Sequence, residues 1–268
     1  DITNTTTTYT SGTLTATTAF RAVVQSGTCS ALNSDSTVVT VNPVTAGGSV
    51  SGGSTICSGS TSGLLTLSGH TGSVVKWQSA VSPFSTWTDI TNTATTYTSG
   101  ALTQTTQFRA VVQSGVCPSQ NSAVTTVTVT PPTVKGSVSG GSGICAGQTS
   151  GLLTLSGHTG TIVKWQSAVS PFTTWTDITN TTTTYTSGTL TSTTAFRAVV
   201  QSGVCAALNA DSTVVTVTPL VVKGSVSGGT TICSGSTSGL LTLSGHTGSV
   251  VKWQSAVSPF TTWTDITN

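Results

Sequence analysis

One phrase returns through this chain at a fixed interval. Asp-Ile-Thr-Asn begins at Asp1, Asp89, Asp177 and Asp265, a period of 88 residues. The landmarks in between keep that spacing without an insertion: Trp77/Trp165/Trp253, His70/His158/His246 and Arg21/Arg109/Arg197. The cysteines form two such series, Cys29/Cys117/Cys205 and Cys57/Cys145/Cys233. A period of this length far exceeds the 20–45 residues of solenoid units and matches one small all-β domain. The chain therefore reads as separate modules in tandem, not as one continuous superhelical core. Proline marks the joints at Asn42-Pro43-Val44, Pro131-Pro132-Thr133 and Pro219-Leu220. They divide the chain into 1–44, the C-terminal part of one repeat, 45–132 and 133–220, two complete repeats, and 221–268, the N-terminal part of another.

Residue usage decides what the modules are made of. Thr and Val favour a pleated, half-buried strand, Ser and Gly favour turns, and no stretch carries a 3.6-residue apolar period. Regular Val, Leu and Trp positions supply each repeat with a core, which argues against disorder despite the Ser/Thr richness. Only 5% of residues are charged and the net charge is +2, too little to attract nucleic acid or an anionic membrane. No apolar run approaches spanning length, so no membrane span is expected in this segment, and neither end resembles a signal peptide.

Within the repeat 45–132, period-2 patterning predicts a broken first strand over 48–51 and 54–57, then strands over 63–68, 73–78, 86–91, 95–99, 107–112 and 125–130. Leu65 and Leu67 share one face. Val75 is expected in phase with Trp77, and Phe108, Ala110 and Val112 point inward with Arg109 outward. About seven short strands with a Trp on the third describe an all-β, immunoglobulin-like sandwich, repeated head to tail as an elongated fibre. Its expected core anchors are Trp77, Trp165, Trp253, Phe108 and Phe196.

The wording from "GSVSGGSTICSGSTSGLLTLSGHTG" through "VVKWQS" and "TWTDITNT" to "QFRAVVQSGVC" resembles the Ig-like tandem repeats of very long surface proteins from gliding, Bacteroidetes-type bacteria. Cys57, Trp77, Trp87, Phe108 and Cys117 are the landmarks, and the likeness covers essentially the whole chain. The resemblance implies an extracellular cell-surface adhesin or filament, exported by the type IX route and associated with adhesion and gliding motility. It also implies that this chain is an internal excerpt, with a sorting domain elsewhere.

Six cysteines at two fixed phases in an extracellular chain read as disulfides. One pairing joins Cys57 to Cys117 and Cys145 to Cys205 within repeats, closing loops of about 60 residues that contribute about 4 kcal/mol in the loop-entropy model. Strand order raises an objection to it. The loop before the second strand and the loop after the sixth lie at opposite ends of a sandwich, roughly 20 Å apart, against a Cα limit near 7 Å. The other pairing, Cys57 to Cys205, crosses a joint and leaves Cys29 and Cys233 to partners outside these residues. Both remain open on the sequence alone.

No catalytic residue, metal site or cofactor is expected. Each repeat has one His, one or two Asp and no Glu, no GxSxG elbow and no DxDxD loop, and His70 reads as an exposed loop residue. Trp87, with Trp175 and Trp263, has two readings. It stacks against Arg109 or Lys76 with Asp89 balancing the charge, or it offers a sugar-stacking platform. Asp35-Ser36-Thr37 and Asp211-Ser212-Thr213 resemble the sites such bacteria O-glycosylate, which marks Ser36 and Ser212; the middle repeat has Ala123 in place of Asp. The expected function is a non-enzymatic structural shaft whose partners are neighbouring repeats of the same chain. The alternatives for further partners are surface glycans, bound by a multivalent Trp array, and other fibres.

Overall fold

Alternation of Thr with Val and Leu commits the chain to strands. The computed structural model, which describes residues 1–267, is all-β, with no helix among them. By internal packing the chain divides into two compact units, one of Asp1–Pro132 with Ser202–Ala206, the other of Thr133–Gln201 with the residues from Ala207 onward.

The first unit holds a complete sandwich. One sheet has three strands, in the order Thr96–Tyr97, Leu65–Ser68, Ser49–Ser51. The facing sheet runs Thr55–Cys57, Thr125–Thr130, Thr106–Gln113, Ser73–Val81, Thr88–Ile90, with the short strand Gln120–Asn121 also paired to Thr106–Gln113. The first strand thus starts in one sheet and crosses to the other. It does so at Gly52-Gly53: Gly52 has φ +97°, and a Cβ there would stand 2.3 Å from the Leu64 carbonyl oxygen. Only glycine tolerates both constraints. After the crossing, Thr55–Cys57 runs parallel to Thr128–Thr130, with Cys57 opposite Thr130. A first strand split between two antiparallel sheets packed over a Trp is an immunoglobulin-like arrangement.

The core between the sheets is Val50, Leu65, Leu67, Val74, Trp77, Phe108, Ala110, Val112 and Val127, with Ile56, Ile90, Tyr97 and Leu102 packed against it. Trp77 is fully buried, and its indole Nε1 donates to the Ala94 carbonyl at 2.9 Å. Tyr97 links the aromatics, its ring centroid 5.6 Å from that of Trp77 and 5.8 Å from that of Phe108.

The second unit repeats this sandwich 88 residues on. Its sheets are Val134–Ser139, Leu153–Thr159, Thr184–Tyr185 and Gly143–Cys145, Thr213–Thr218, Thr194–Gln201, Thr161–Val169, Thr176–Ile178. Its core is Val138, Leu153, Leu155, Ile162, Trp165, Phe196, Ala198, Val200, Ala210 and Val215. Every core member of the first sandwich has its counterpart here, and no residue belongs to both.

Val75 and Trp253 depart from the sequence expectations. Val75 is not in phase with Trp77. The register shifts so that Lys76 faces Val111 while Val74 faces Val112, which leaves Val75 as the extra residue of a β-bulge. Val75 is therefore 46% exposed and Val74 is buried in its stead. The same bulge ejects Val163 between Ile162 and Lys164. Trp253, the other case, is not a core residue here. It is 36% exposed, because residues 221–268 contain no counterparts of Tyr97 and Phe108, the rings that close over this position. That segment forms only the pairs Lys223–Ser227 with Thr242–His246 and Trp253–Ser255 with Thr264–Ile266 among the described residues. Residues 1–44 likewise form only Thr18–Phe20 with Thr37–Val39 and Val23–Val24 with Leu32–Asn33.

Candidate functional site

Strand direction decides where the sulfurs sit. Because Thr55–Cys57 runs parallel to the last strand, Cys57 finishes where the chain leaves the sandwich, at Thr130. Thr106–Gln113 runs antiparallel to that last strand, so the loop after it lies at the other end, where the chain comes in. There the Cys117 sulfur stands 3.5 Å from the Pro43 carbonyl oxygen. Cys57 and Cys117 are thus held at opposite ends of one sandwich, and no bond joins them.

The bond that forms is Cys57–Cys205, with a Cα separation of 4.9 Å and a sequence separation of 148. The segment Ser202–Ala206 packs with the first unit, and the Cys205 sulfur lies 3.3 Å from the Pro131 carbonyl oxygen. Cys117 against Pro43 and Cys205 against Pro131 are the same placement at one period's distance. Cys29, Cys117, Cys145 and Cys233 carry free thiols, so the within-repeat pairs Cys57–Cys117 and Cys145–Cys205 are not made. Digestion without reduction is expected to yield a linked Cys57–Cys205 peptide and none that links Cys145 to Cys205. A linked Cys57–Cys117 peptide would contradict this placement.

A polar ladder crosses the outer face of the larger sheet. The Lys76 ammonium donates to Asp89 Oδ2 at 2.7 Å, Gln78 Nε2 donates to Asp89 Oδ1 at 2.8 Å, and Arg109 Nε donates to Gln78 Oε1 at 2.7 Å. The Arg109 guanidinium then lies over the Trp87 ring, 3.9 Å from its centroid. One face of Trp87 is therefore occupied by a cation. The ladder recurs as Lys164, Asp177, Gln166, Arg197 and Trp175. Trp263 is 60% exposed, beside the partial ladder of Lys252, Asp265 and Gln254.

Hydrogen bonds from Lys76 and then Gln78 hold the Asp89 carboxyl below the usual carboxylate range; Gln166 and then Lys164 do the same for Asp177. A carboxyl depressed in the folded state stabilises the fold above its unfolded pKa, and loses that contribution as pH falls through the folded value. These groups are solvent-exposed, so the effect is small and salt-sensitive. Melting of the wild type should drop more than that of Asp89→Asn/Asp177→Asn as pH falls below the ordinary carboxylate range. Parallel pH profiles would show that the ladder contributes nothing.

A second motif joins two buried serines. The Ser62 and Ser99 hydroxyls each accept a hydrogen bond from the other's backbone N–H, at 2.9 and 3.0 Å, and each donates to the carbonyl of the following glycine. Both serines are buried, and Ser150 with Ser187 form the same clasp. Serines this abundant carry no signal of their own; the repeated Ser-Gly context at 62–63 and 99–100 is the one clue to it.

Ser36 and Ser212 are exposed, and Asp211, beside Ser212, pairs with Lys135. His70 is half-buried rather than an exposed loop residue, and its Nδ1 has no hydrogen-bond partner among the described residues. Among the described residues no group of three or more His, Cys, Asp and Glu side chains could hold a metal ion, and no helix is long and apolar enough to cross a membrane.

No curated protein gives a significant match to this chain. Among solved structures, the chain resembles the FN1–FN3 domains of chicken CNTN1, at 15% identity and a TM-score of 0.34 over 66% of this chain and 67% of that one. It also resembles domains A168–A170 of titin, at 13% identity and a TM-score of 0.39 over 76% of this chain and 75% of that one. A family model matches four times in succession, at residues 1–43, 46–131, 134–219 and 222–268. The chain is a tandem array of immunoglobulin-like sandwiches, and it belongs to the family described as a domain of unknown function, DUF8696.

Proposed function

We propose that this chain is part of the structural shaft of a long extracellular surface adhesin or filament, in which repetition supplies reach and disulfides supply stiffness. The observation that carries the reading is the pair of self-contained cores, equivalent at 88-residue spacing and tied by Cys57–Cys205. A stable disulfide belongs to an oxidising compartment, which supports placement at the cell surface. The resemblance to repeats of gliding Bacteroidetes-type bacteria supports the same reading. A shaft needs no pocket, and the repeated outer face is filled by its own Lys–Asp–Gln–Arg–Trp ladder.

Electron microscopy of source cells labelled with antibody to this chain tests the proposal. Label spaced along thin filaments that project from the envelope is the expected result, and label confined to the cell interior would overturn it. The second reading is a glycan-binding array on Trp87 and Trp175, and stacked Arg109 and Arg197 weigh against it. Trp87→Ala/Trp175→Ala is accordingly expected to leave binding on a glycan array unchanged. Binding by the wild type that disappears in the variant would favour that second reading.

A further inference from the structure

Tension follows the shortest covalent route through a chain, and a disulfide that closes a loop removes that loop from the route. With Cys57 bonded to Cys205, a pull on the two chain ends passes through sulfur and skips the residues between, across a sequence separation of 148. The skipped segment holds most of both sandwiches. It includes Leu65–Ser68, Ser73–Val81 and Thr106–Gln113 of the first, and Leu153–Thr159, Thr161–Val169 and Thr194–Gln201 of the second. Load reaches the first sandwich only through Ser49–Ser51 and Thr55–Cys57, and the second only through Leu208–Asn209 and Thr213–Thr218.

We infer that the Cys57–Cys205 bond is a load bypass, which carries tension past two folded sandwiches and holds their length in reserve until the bond is reduced. An antiparallel sandwich pulled at its ends lengthens many-fold when it unfolds, and a structure that supplies reach fails if it does so. Within-repeat disulfides would shield each repeat but leave every joint to the backbone alone. A bond from one repeat to the next puts a second covalent route beside each joint it spans.

Periodicity extends the device. Cys117 occupies the phase of Cys205, with its sulfur against the Pro43 carbonyl as that of Cys205 lies against Pro131, and Cys145 occupies the phase of Cys57. The same bond drawn every 88 residues gives overlapping loops, each reaching from one repeat into the next. Successive loops are offset by one repeat, so an array of this kind carries its load on two interleaved covalent routes. Unfolding one sandwich then lets out only the short terminal strands that lie on those routes, and the long loop between them stays in reserve.

The inference rests on the shaft reading for its purpose and on the disulfide for its mechanism, and a force experiment isolates the mechanism. The full chain is held in an optical trap by handles at its two ends and ramped in force, first oxidised and then in dithiothreitol. The dithiol supplies the two electrons and two protons that convert the bond to two thiols. The reduced tether is expected to show unfolding steps for both complete repeats. Its final contour should exceed that of the oxidised tether by roughly 500 Å, the length of the released loop at ~3.5 Å per residue. Cys57→Ser and Cys205→Ser should each give the reduced pattern without reductant. If either variant fails to fold, reduction of an already folded tether decides. Equal final contours with and without dithiothreitol would overturn the bypass. Failure of the shaft reading shows instead in the labelling of cells and leaves this measurement unaffected.

Discussion

Trp77→Ala is expected to destabilise the sandwich over residues 45–132 by about 3–5 kcal/mol, the range for removing a fully buried large aromatic. The ring has no solvent exposure and sits at the centre of a core that includes Leu65, Phe108 and Val112, with Tyr97 packed on it. Truncation leaves a cavity that strands on both sheets cannot collapse into, and strips the Ala94 carbonyl of the indole N–H that bonds it. Trp77→Phe should cost less, since it fills most of the space and loses chiefly that hydrogen bond. Trp165→Ala should match Trp77→Ala, because its ring is equally buried and donates to the Thr182 carbonyl at 3.0 Å. Urea unfolding followed by circular dichroism reads all three; a loss below about 1 kcal/mol for Trp77→Ala would mean that burial of the ring is not what holds this sandwich.

Reduction of Cys57–Cys205 is expected to have the largest effect of all. A closed loop of this length restricts the unfolded chain by about 5 kcal/mol in the loop-entropy model. The gain acts on the unfolded state, so it is shared by both sandwiches and is independent of the packing within either. Two signatures follow. The urea midpoints of both complete repeats should fall on reduction, and the dependence on urea should steepen, because an open chain exposes more surface on unfolding. A Cys57→Ala/Cys205→Ala variant should reproduce both without reductant. Unchanged midpoints in oxidised and reduced chain would mean that the bond does not close this loop in solution.

Fold class was legible because repetition and period-2 patterning point the same way three times over. The expected strand 125–130 matches Thr125–Thr130, and Leu65 with Leu67 lie inward as their alternation requires. Alternation also placed Val75 beside Trp77, but a bulge breaks the count between them, and a bulge arises from pairing with another strand. The expected strand 95–99 shrinks to Thr96–Tyr97, since Ser99 turns in to clasp Ser62, a partner 37 residues away. Trp253 shares the sequence context of Trp77 but lacks the rings that cover it. The cysteine partners stayed open for the same reason. Spacing along the chain is silent on strand direction, and the parallel pairing of Thr55–Cys57 with Thr128–Thr130 sets which end Cys57 occupies. On the outer face the ingredients were visible as Trp87, Arg109, Lys76 and Asp89. Gln78, which bridges Asp89 to Arg109, does not stand out, because a lone Gln in a strand carries no pattern.

Each complete 88-residue repeat closes its own core. Hydrogen exchange read by mass spectrometry on oxidised Trp77→Ala tests it most directly, because the two cores share no residue. Amides of Thr106–Gln113 should lose protection by several orders of magnitude, following the roughly 3–5 kcal/mol expected from removal of the ring. Amides of Thr194–Gln201, the equivalent strand one period on, should exchange as in the wild type. Equal loss of protection in both strands would contradict the account, since it would mean that the repeats fold as one cooperative body around a common core.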